Sequence, residues 1–158
     1  MNTSTATRPQ ANKKDQTRSL GIADFWEFCA HQGSLNESER LLQIKQGVSA
    51  HLVQAIRMSF DLHEHSVATL LNASISTLER RMREQKPLDS VASKRLDRIA
   101  AVSHQAEGVF ESREAAAQWM SKPNKVLGGN TPIMLCETEI GARQVRRVLQ
   151  ALEWGGAA

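Results

Sequence analysis

A chain of 158 residues, 41% hydrophobic and 23% charged, is long enough for one domain, or two very small ones, with a buried core. Its 20 Lys and Arg residues against 17 Asp and Glu residues give a net charge of +3, which suits a nucleic-acid partner without requiring one. Two cysteines far apart indicate neither a disulfide framework nor a zinc site. Without a signal peptide or a membrane-length apolar run, we expect a cytoplasmic protein that makes no membrane contact.

The first stretch, residues 1–19, is rich in Thr, Ser, Asn and Lys and has almost nothing to bury. It carries Arg8, Lys13, Lys14 and Arg18 against Asp15 alone. This composition predicts a disordered basic tail. Two roles stay open for it: a solvated leader, or an arm that contacts phosphate groups without sequence preference.

From Leu20 onward, apolar residues recur at helical spacing and predict a succession of helices. Gly47 and Pro87 mark helix stops, and residues 121–130 form a predicted loop before a helix that opens at Thr131-Pro132. Because no alternating strand pattern persists, we predict an all-α fold. We expect a helical N-terminal domain over residues 20–86 and a C-terminal domain over residues 87–158.

Residues 67–81 have the form of a helix-turn-helix, in which two short helices share an apolar seam and a tight turn joins them. Asn72 can take the left-handed conformation of the turn, and Ser74 can cap the second helix. The start of that second helix would meet base edges in the major groove. The candidate base-reading residues are Ser76, Thr77 and Arg80, and the candidate phosphate contacts are Ser74, Arg81 and Arg83.

The alternative for this segment is a structural helical hairpin whose arginines form a solvated face. Ile75 would bring an apolar side chain near the groove, and Glu79 and Glu84 dilute the positive charge. If the motif does bind DNA, it reads only a short half-site, so we expect a homodimer.

No catalytic or cofactor chemistry is indicated. His63 and His65 are two positions apart and do not share a helix face, which makes a metal site a weak hypothesis. The Gly128-Gly129 pair lacks the remaining residues of a phosphate-binding loop. No nucleophile has an identifiable base nearby, so we predict that the chain is not an enzyme and takes no cofactor and no metal.

The C-terminal third carries a distinctive string: Trp119-Met120, Pro123-Asn124, Leu127-Gly128-Gly129, Thr131-Pro132, Glu137-Thr138-Glu139, Gly141-Ala142-Arg143, Val145 and Glu153-Trp154-Gly155. It resembles the C-terminal domain of the Xre/MbcA/ParS antitoxin family. Residues upstream fit the same family in the same order, namely Glu39-Arg40-Leu41, Gly47, Leu70-Leu71, Thr77-Leu78, Arg80-Arg81, Ser93-Lys94-Arg95-Leu96 and Phe110. The resemblance covers residues 37–156. Residues 1–35 have no counterpart in it, Asn72 replaces a common turn glycine, and Cys136 replaces an aliphatic residue.

The resemblance implies a type II antitoxin with an Xre/Cro-like helix-turn-helix that binds operator DNA at its own promoter. It also implies a C-terminal domain that dimerises and holds a RES-domain toxin, a class whose toxic members consume NAD. In that family the C-terminal end approaches the toxin's active-site cleft. The expected toxin-binding residues are therefore Arg143, Arg146, Arg147, Trp154, Gly155, Gly156, Ala157 and Ala158.

Other interpretations remain open at this point. Trp154 could belong to the core, with a frayed tail behind it and the arginines on a solvated face. The whole chain could be a stand-alone transcription regulator without a toxin, or an adaptor that binds a partner and no longer touches DNA. Trp119 is assigned to the core of the C-terminal domain because a Trp at the end of an amphipathic helix more often packs than recognises a partner.

Overall fold

The computed structural model describes residues 12–155, and the predicted all-α fold is confirmed for them because the range contains helices and no strand. None of these helices is long and apolar enough to cross a membrane. A short 3-10 helix, Lys125–Leu127, precedes the eighth of the α-helices. In chain order the α-helices are α1 (Lys13–Ser34), α2 (Glu37–Gln46), α3 (His51–Ser59), α4 (Glu64–Leu71), α5 (Ile75–Arg83), α6 (Ser90–Phe110), α7 (Arg113–Ser121), α8 (Pro132–Leu135) and α9 (Glu139–Glu153).

The expected disordered tail is wrong for residues 13–19, because α1 already begins at Lys13. The Asn12 side chain caps its first turn by accepting from Lys14 N at 3.4 Å. One turn later Arg18 donates to the carbonyl of Met58 at 3.3 Å and lies 3.6 Å from Asp61. A polar composition indicates only that a segment buries few side chains. An exposed helix, such as the first turns of α1, also buries few side chains, so the composition does not imply disorder. Residues 1–11 lie outside the described range.

Most helix boundaries follow local capping signals. The side chains of Asp89, Ser112 and Thr138 each accept a hydrogen bond from the backbone three residues on. Gly47 ends α2 with φ +89°, a conformation that favours glycine. Thr131 makes no side-chain cap, and Pro132 at the first helical position starts α8 instead.

The long helix α6 lies at the centre of the molecule. It packs against α1, α2 and α4 on the N-terminal side and against α7 and α9 on the C-terminal side. Buried residues of all these helices except α2 belong to one continuous hydrophobic core. The domain boundary between residues 86 and 87 therefore stays a prediction. In the structure, α6 packs against the helices on both sides of that boundary and joins them.

Aromatic residues fill the end of this core near α1. The rings of Phe25 and Trp26 are 5.3 Å apart, and Phe60 lies 5.3 Å from Phe25 in a second edge-to-face contact. In the C-terminal part Trp119 is half-buried and packs on Phe110 at 5.6 Å, in agreement with its assignment to packing. The cluster of Phe25, Trp26 and Phe60 packs α1 against the rest of the core. Helix α1 is thus part of the fold, although residues 1–35 have no counterpart in the family pattern.

Candidate nucleic-acid and protein interfaces

Helices α4 and α5 form the predicted helix-turn-helix. Asn72 ends α4 in the left-handed conformation, with φ 53° and ψ 49°, and the next amide, Ala73 N, donates back to the carbonyl of Ala68 at 3.0 Å. The seam residues Leu70, Leu71 and Leu78 are buried. The turn chemistry expected from the sequence is therefore present.

Three hydroxyl groups cluster at the start of α5. Ser74 Oγ accepts from Thr77 N at 3.2 Å, as a cap does, and donates to Thr77 Oγ1 at 2.8 Å. Ser76 lies 3.3 Å from Ser74 Oγ and is exposed. Because Ser74 and Thr77 hold each other and the helix end, Ser76 is the hydroxyl most open to an external ligand.

The arginines predicted for DNA binding are not equivalent. Arg80 and Arg83 are exposed, and neither has a carboxylate within salt-bridge distance in residues 12–155. Arg81 is half-buried and donates from Nη1 to the carbonyl of Pro87 at 2.8 Å. That bond ties α5 to the segment that leads into α6. Arg81 thus has a structural role that sequence reasoning did not find, in addition to any phosphate contact.

Two further features of this motif were missed or misjudged from the sequence. Ile75, expected near the groove, is half-buried and lines a narrow cleft against Val53 and Val67. Arg95 of α6 donates to the carbonyls of Thr69 and Leu70 at 3.3 and 3.2 Å and so caps the C-terminal end of α4. Cap donors on a distant helix leave no local signal in the sequence.

Helix α9 separates a buried face from a basic face. Its apolar side, Ala142, Val145, Val148 and Leu149, is buried on the core. The three predicted toxin-binding arginines, Arg143, Arg146 and Arg147, are all exposed on the other side. Gly141 allows the start of α9 to lie close against α8, because a Cβ there would clash with the carbonyl oxygen of Leu135.

Trp154 lies at the C-terminal end of α9 with 82% of its surface exposed, so the alternative that placed it in the core is wrong. Its helical spacing explains the exposure, because Trp154 follows Arg143 by eleven residues and Arg147 by seven and so continues the basic face. Gly155 turns the chain with φ +81° and is also exposed. The other predicted tail contacts, Gly156, Ala157 and Ala158, lie outside the described residues.

Sequence reasoning overlooked a second exposed apolar residue, Ile140, at the opposite end of α9. Its side chain is 69% exposed. Trp154 is fourteen residues further on, which brings both side chains to the same side of the helix. The fourteen-residue spacing of Ile140 and Trp154 is present in the sequence. It was overlooked because the apolar residues of the buried face dominate the pattern of this helix.

The two cysteines are buried and are not joined in a disulfide. Burial raises the pKa of the Cys136 thiol to about 12, and burial also raises the pKa of the Cys29 thiol. Both are therefore neutral packing groups near pH 7. Within the described range, no three His, Cys, Asp or Glu side chains come close enough to hold a metal ion.

Two protein-family models match the chain. Residues 39–101 match the antitoxin Xre-like helix-turn-helix domain. Residues 105–155 match the antitoxin Xre/MbcA/ParS C-terminal toxin-binding domain. The two matched ranges are separated only by residues 102–104 of α6, and together they cover most of the chain.

Individual relatives agree with these matches. An antitoxin Xre from Pseudomonas putida is 35% identical over 81 residues, which is 51% of each chain. A protein from Sphingobium sp. named Prs ADP-ribosylating antitoxin is 26% identical over 129 residues, covering 76% of this chain and 81% of that one. An antitoxin Xre from Yersinia enterocolitica is 29% identical over 113 residues, covering 71% and 76%. This chain therefore belongs to the Xre/MbcA/ParS antitoxin family and carries that family's helix-turn-helix domain followed by its C-terminal toxin-binding domain.

Proposed function

We propose that this chain is the antitoxin of a type II toxin-antitoxin pair whose toxin is a RES-domain protein that consumes NAD. The antitoxin neutralises that protein by binding it directly and occluding its active site. It also binds operator DNA as a homodimer and represses its own transcription. It acts in the cytoplasm, with no catalytic activity or cofactor of its own.

The observation that carries this proposal is the exposed Trp154 at the end of the basic face of α9. A large aromatic side chain that is 82% exposed on a well-formed helix end leaves much apolar surface in water. Trp loses little conformational entropy when a partner covers it, and it is a common anchor in protein interfaces. The neighbouring arginines can pair with carboxylates of the same partner.

The sequence beyond the anchor fits a narrow site. Residues 155–158 are Gly-Gly-Ala-Ala, with side chains no larger than a methyl group. Such a segment is slender enough to enter a cleft that otherwise takes NAD. The Sphingobium relative is named for ADP-ribosylation, a reaction that takes its ADP-ribose from NAD, and this supports an NAD-consuming toxin.

The helix-turn-helix supports the DNA-binding half of the proposal. Ser76, Arg80 and Arg83 are exposed on α5, the helix that enters the major groove in such motifs. They supply one hydroxyl and two guanidinium groups to bases and phosphates. One copy covers a short half-site, so two copies on a two-fold operator are expected.

The test measures NAD in cells that express the protein encoded beside this gene, as the candidate RES-domain toxin. Full-length chain should preserve NAD. A version that ends at Glu153 should not, because it keeps all of α9 and loses the anchor and tail. Trp154→Ala should protect only partly. Val126→Ala is the control, since Val126 is an exposed apolar residue outside α9, and it should protect fully.

The outcomes separate the parts of the proposal. If the version ending at Glu153 preserves NAD at equal expression and folding, the tail does not occlude the active site. If the full-length chain fails to preserve NAD, the toxin assignment is wrong, and the stand-alone regulator becomes the better description.

A further inference from the structure

Helix α2 is unusual in this molecule because none of its side chains is fully buried. Its two adjacent leucines, Leu41 and Leu42, are 66% and 56% exposed. The helix is fastened to α6 through Arg40, which binds Asp97 with two hydrogen bonds of 3.0 and 2.7 Å. A helix held by an ion pair, with leucines facing water, presents an apolar surface that a partner can cover.

This surface continues into a cleft. Its lining includes Leu41 and Ile44 of α2, Lys94 of α6, and Glu139 and Arg146 of α9. The cleft has a volume of about 280 Å³, just below the range of about 300–1,000 Å³ for small-molecule pockets, and this size suits a protein side chain. Arg146 is one of the residues predicted to bind the toxin, so α2 and the basic face of α9 border the same depression.

The charges around the cleft leave a positive excess. Arg40 is paired with Asp97, and Arg98 lies 3.2 Å from Glu139. The remaining charged groups are Lys94, Arg146 and Glu37, and Glu37 interacts with Arg40. Neither Lys94 nor Arg146 has a carboxylate within 4.0 Å in the part of the chain that the structure describes. The complementary partner surface therefore combines an apolar side chain with a carboxylate.

We propose that this cleft is a second docking site for the toxin. An apolar toxin side chain packs on Leu41, and a neighbouring toxin carboxylate pairs with Lys94 and Arg146. The inference rests on the proposed function and extends the toxin-binding surface from the C-terminal domain to a helix of the helix-turn-helix domain. A second copy of this chain fits less well, because face-to-face pairing would set the same positive excess against itself.

Interface size supports a second site. A stable protein interface buries about 800 Å² on each partner. The described part of α9 offers a partner the exposed side chains of Trp154 and of Arg143, Arg146 and Arg147. Leu41 of α2 lines the same cleft as Arg146 and adds apolar surface to theirs.

The test is the affinity of the purified full-length chain for the same candidate RES-domain toxin in purified form, measured by calorimetry. Leu41→Asp should weaken binding at least about tenfold, because it removes an exposed leucine that the toxin would cover and puts a charge in its place. Leu20→Asp is the matched control, since Leu20 is 67% exposed on α1 and does not line the cleft. Lys94→Glu should likewise weaken binding, and Lys45→Glu, an exposed lysine of α2 outside the cleft, should not.

The toxin affinity of Trp154→Ala, measured in the same way, distinguishes a failure of this inference from a failure of the proposed function. If Trp154→Ala weakens binding while Leu41→Asp and Lys94→Glu bind like the unaltered chain, the cleft is not a toxin site and the proposed function stands. If the unaltered chain does not bind the RES-domain protein, both fail. If Leu41→Asp keeps toxin affinity but abolishes self-association in sedimentation, the cleft is a dimer surface and the inference is overturned.

Discussion

At the scale of single residues, the most consequential side chain that sequence reasoning missed is Asp97. It is 7% exposed and accepts hydrogen bonds from Arg40 and from Gln32 Nε2, the latter at 2.8 Å. These three residues join α1, α2 and α6. Their separations of 57 and 65 positions along the chain explain why no local pattern could reveal the contact. An Asp in a helix normally indicates a solvated face. Asp97 is buried because the packing of α1 and α2 against α6 brings its hydrogen-bond partners to it.

Removing the Arg40 side chain tests this contact. Arg40→Ala should lower the free energy of unfolding by about 2 kcal/mol, because a nearly buried carboxylate loses its charged partner while Arg40 itself is partly solvated. Urea denaturation followed by circular dichroism measures the change. Arg80→Ala, an exposed arginine, is the control and should stay within about 0.5 kcal/mol. Equal stability of the two variants would show that the ion pair contributes nothing.

At the scale of the helices, capping residues made most boundaries predictable. Asn72, Ser74, Asp89 and Ser112 act within three or four residues of their own position, so the sequence contains the whole signal. The exposure of the α2 leucines was not predictable in this way. Apolar spacing indicates that a side chain can be buried, but it does not say whether this chain or a partner covers it.

The exposed face of α5 makes a specific prediction for DNA binding. Arg80→Ala should lower operator affinity. If Arg80 contacts a phosphate, the slope of log affinity against log salt should decrease in magnitude by about 1. If Arg80 reads a base, its loss should relax the sequence preference. Electrophoretic mobility shifts with the DNA upstream of the gene, at several salt concentrations, measure both. Arg147→Ala on α9 is the control and should leave DNA affinity unchanged.

These measurements also test the alternative of an adaptor without DNA binding. Under that alternative the unaltered chain binds the upstream DNA no better than a random duplex at every salt concentration, and Arg80→Ala changes nothing. Arg81→Ala is less informative, because Arg81 also holds the carbonyl of Pro87 and its loss disturbs the entry to α6.

At the scale of the whole molecule, α6 makes the two family domains one body. Its first half contacts the helix-turn-helix through Arg95, and Arg98 donates to the carbonyls of Cys136 and Glu137, before α9 begins. The all-α class and both family domains could be predicted from the sequence. The joining of the domains could not, because it depends on packing across the whole chain length.

One substitution in the C-terminal part should therefore destabilise the N-terminal part as well. Gly141→Ala would force a methyl group against the backbone of Leu135 and should lower the free energy of unfolding by about 2 kcal/mol. Gly108→Ala on α6 is the control, because a Cβ there meets nothing within 4 Å and alanine favours the helix. Hydrogen exchange should then show the same loss of protection in α3 and α4 as in α9, since all three share one core through α6. Loss confined to α8 and α9 would mean that the two domains unfold independently and that α6 does not couple them.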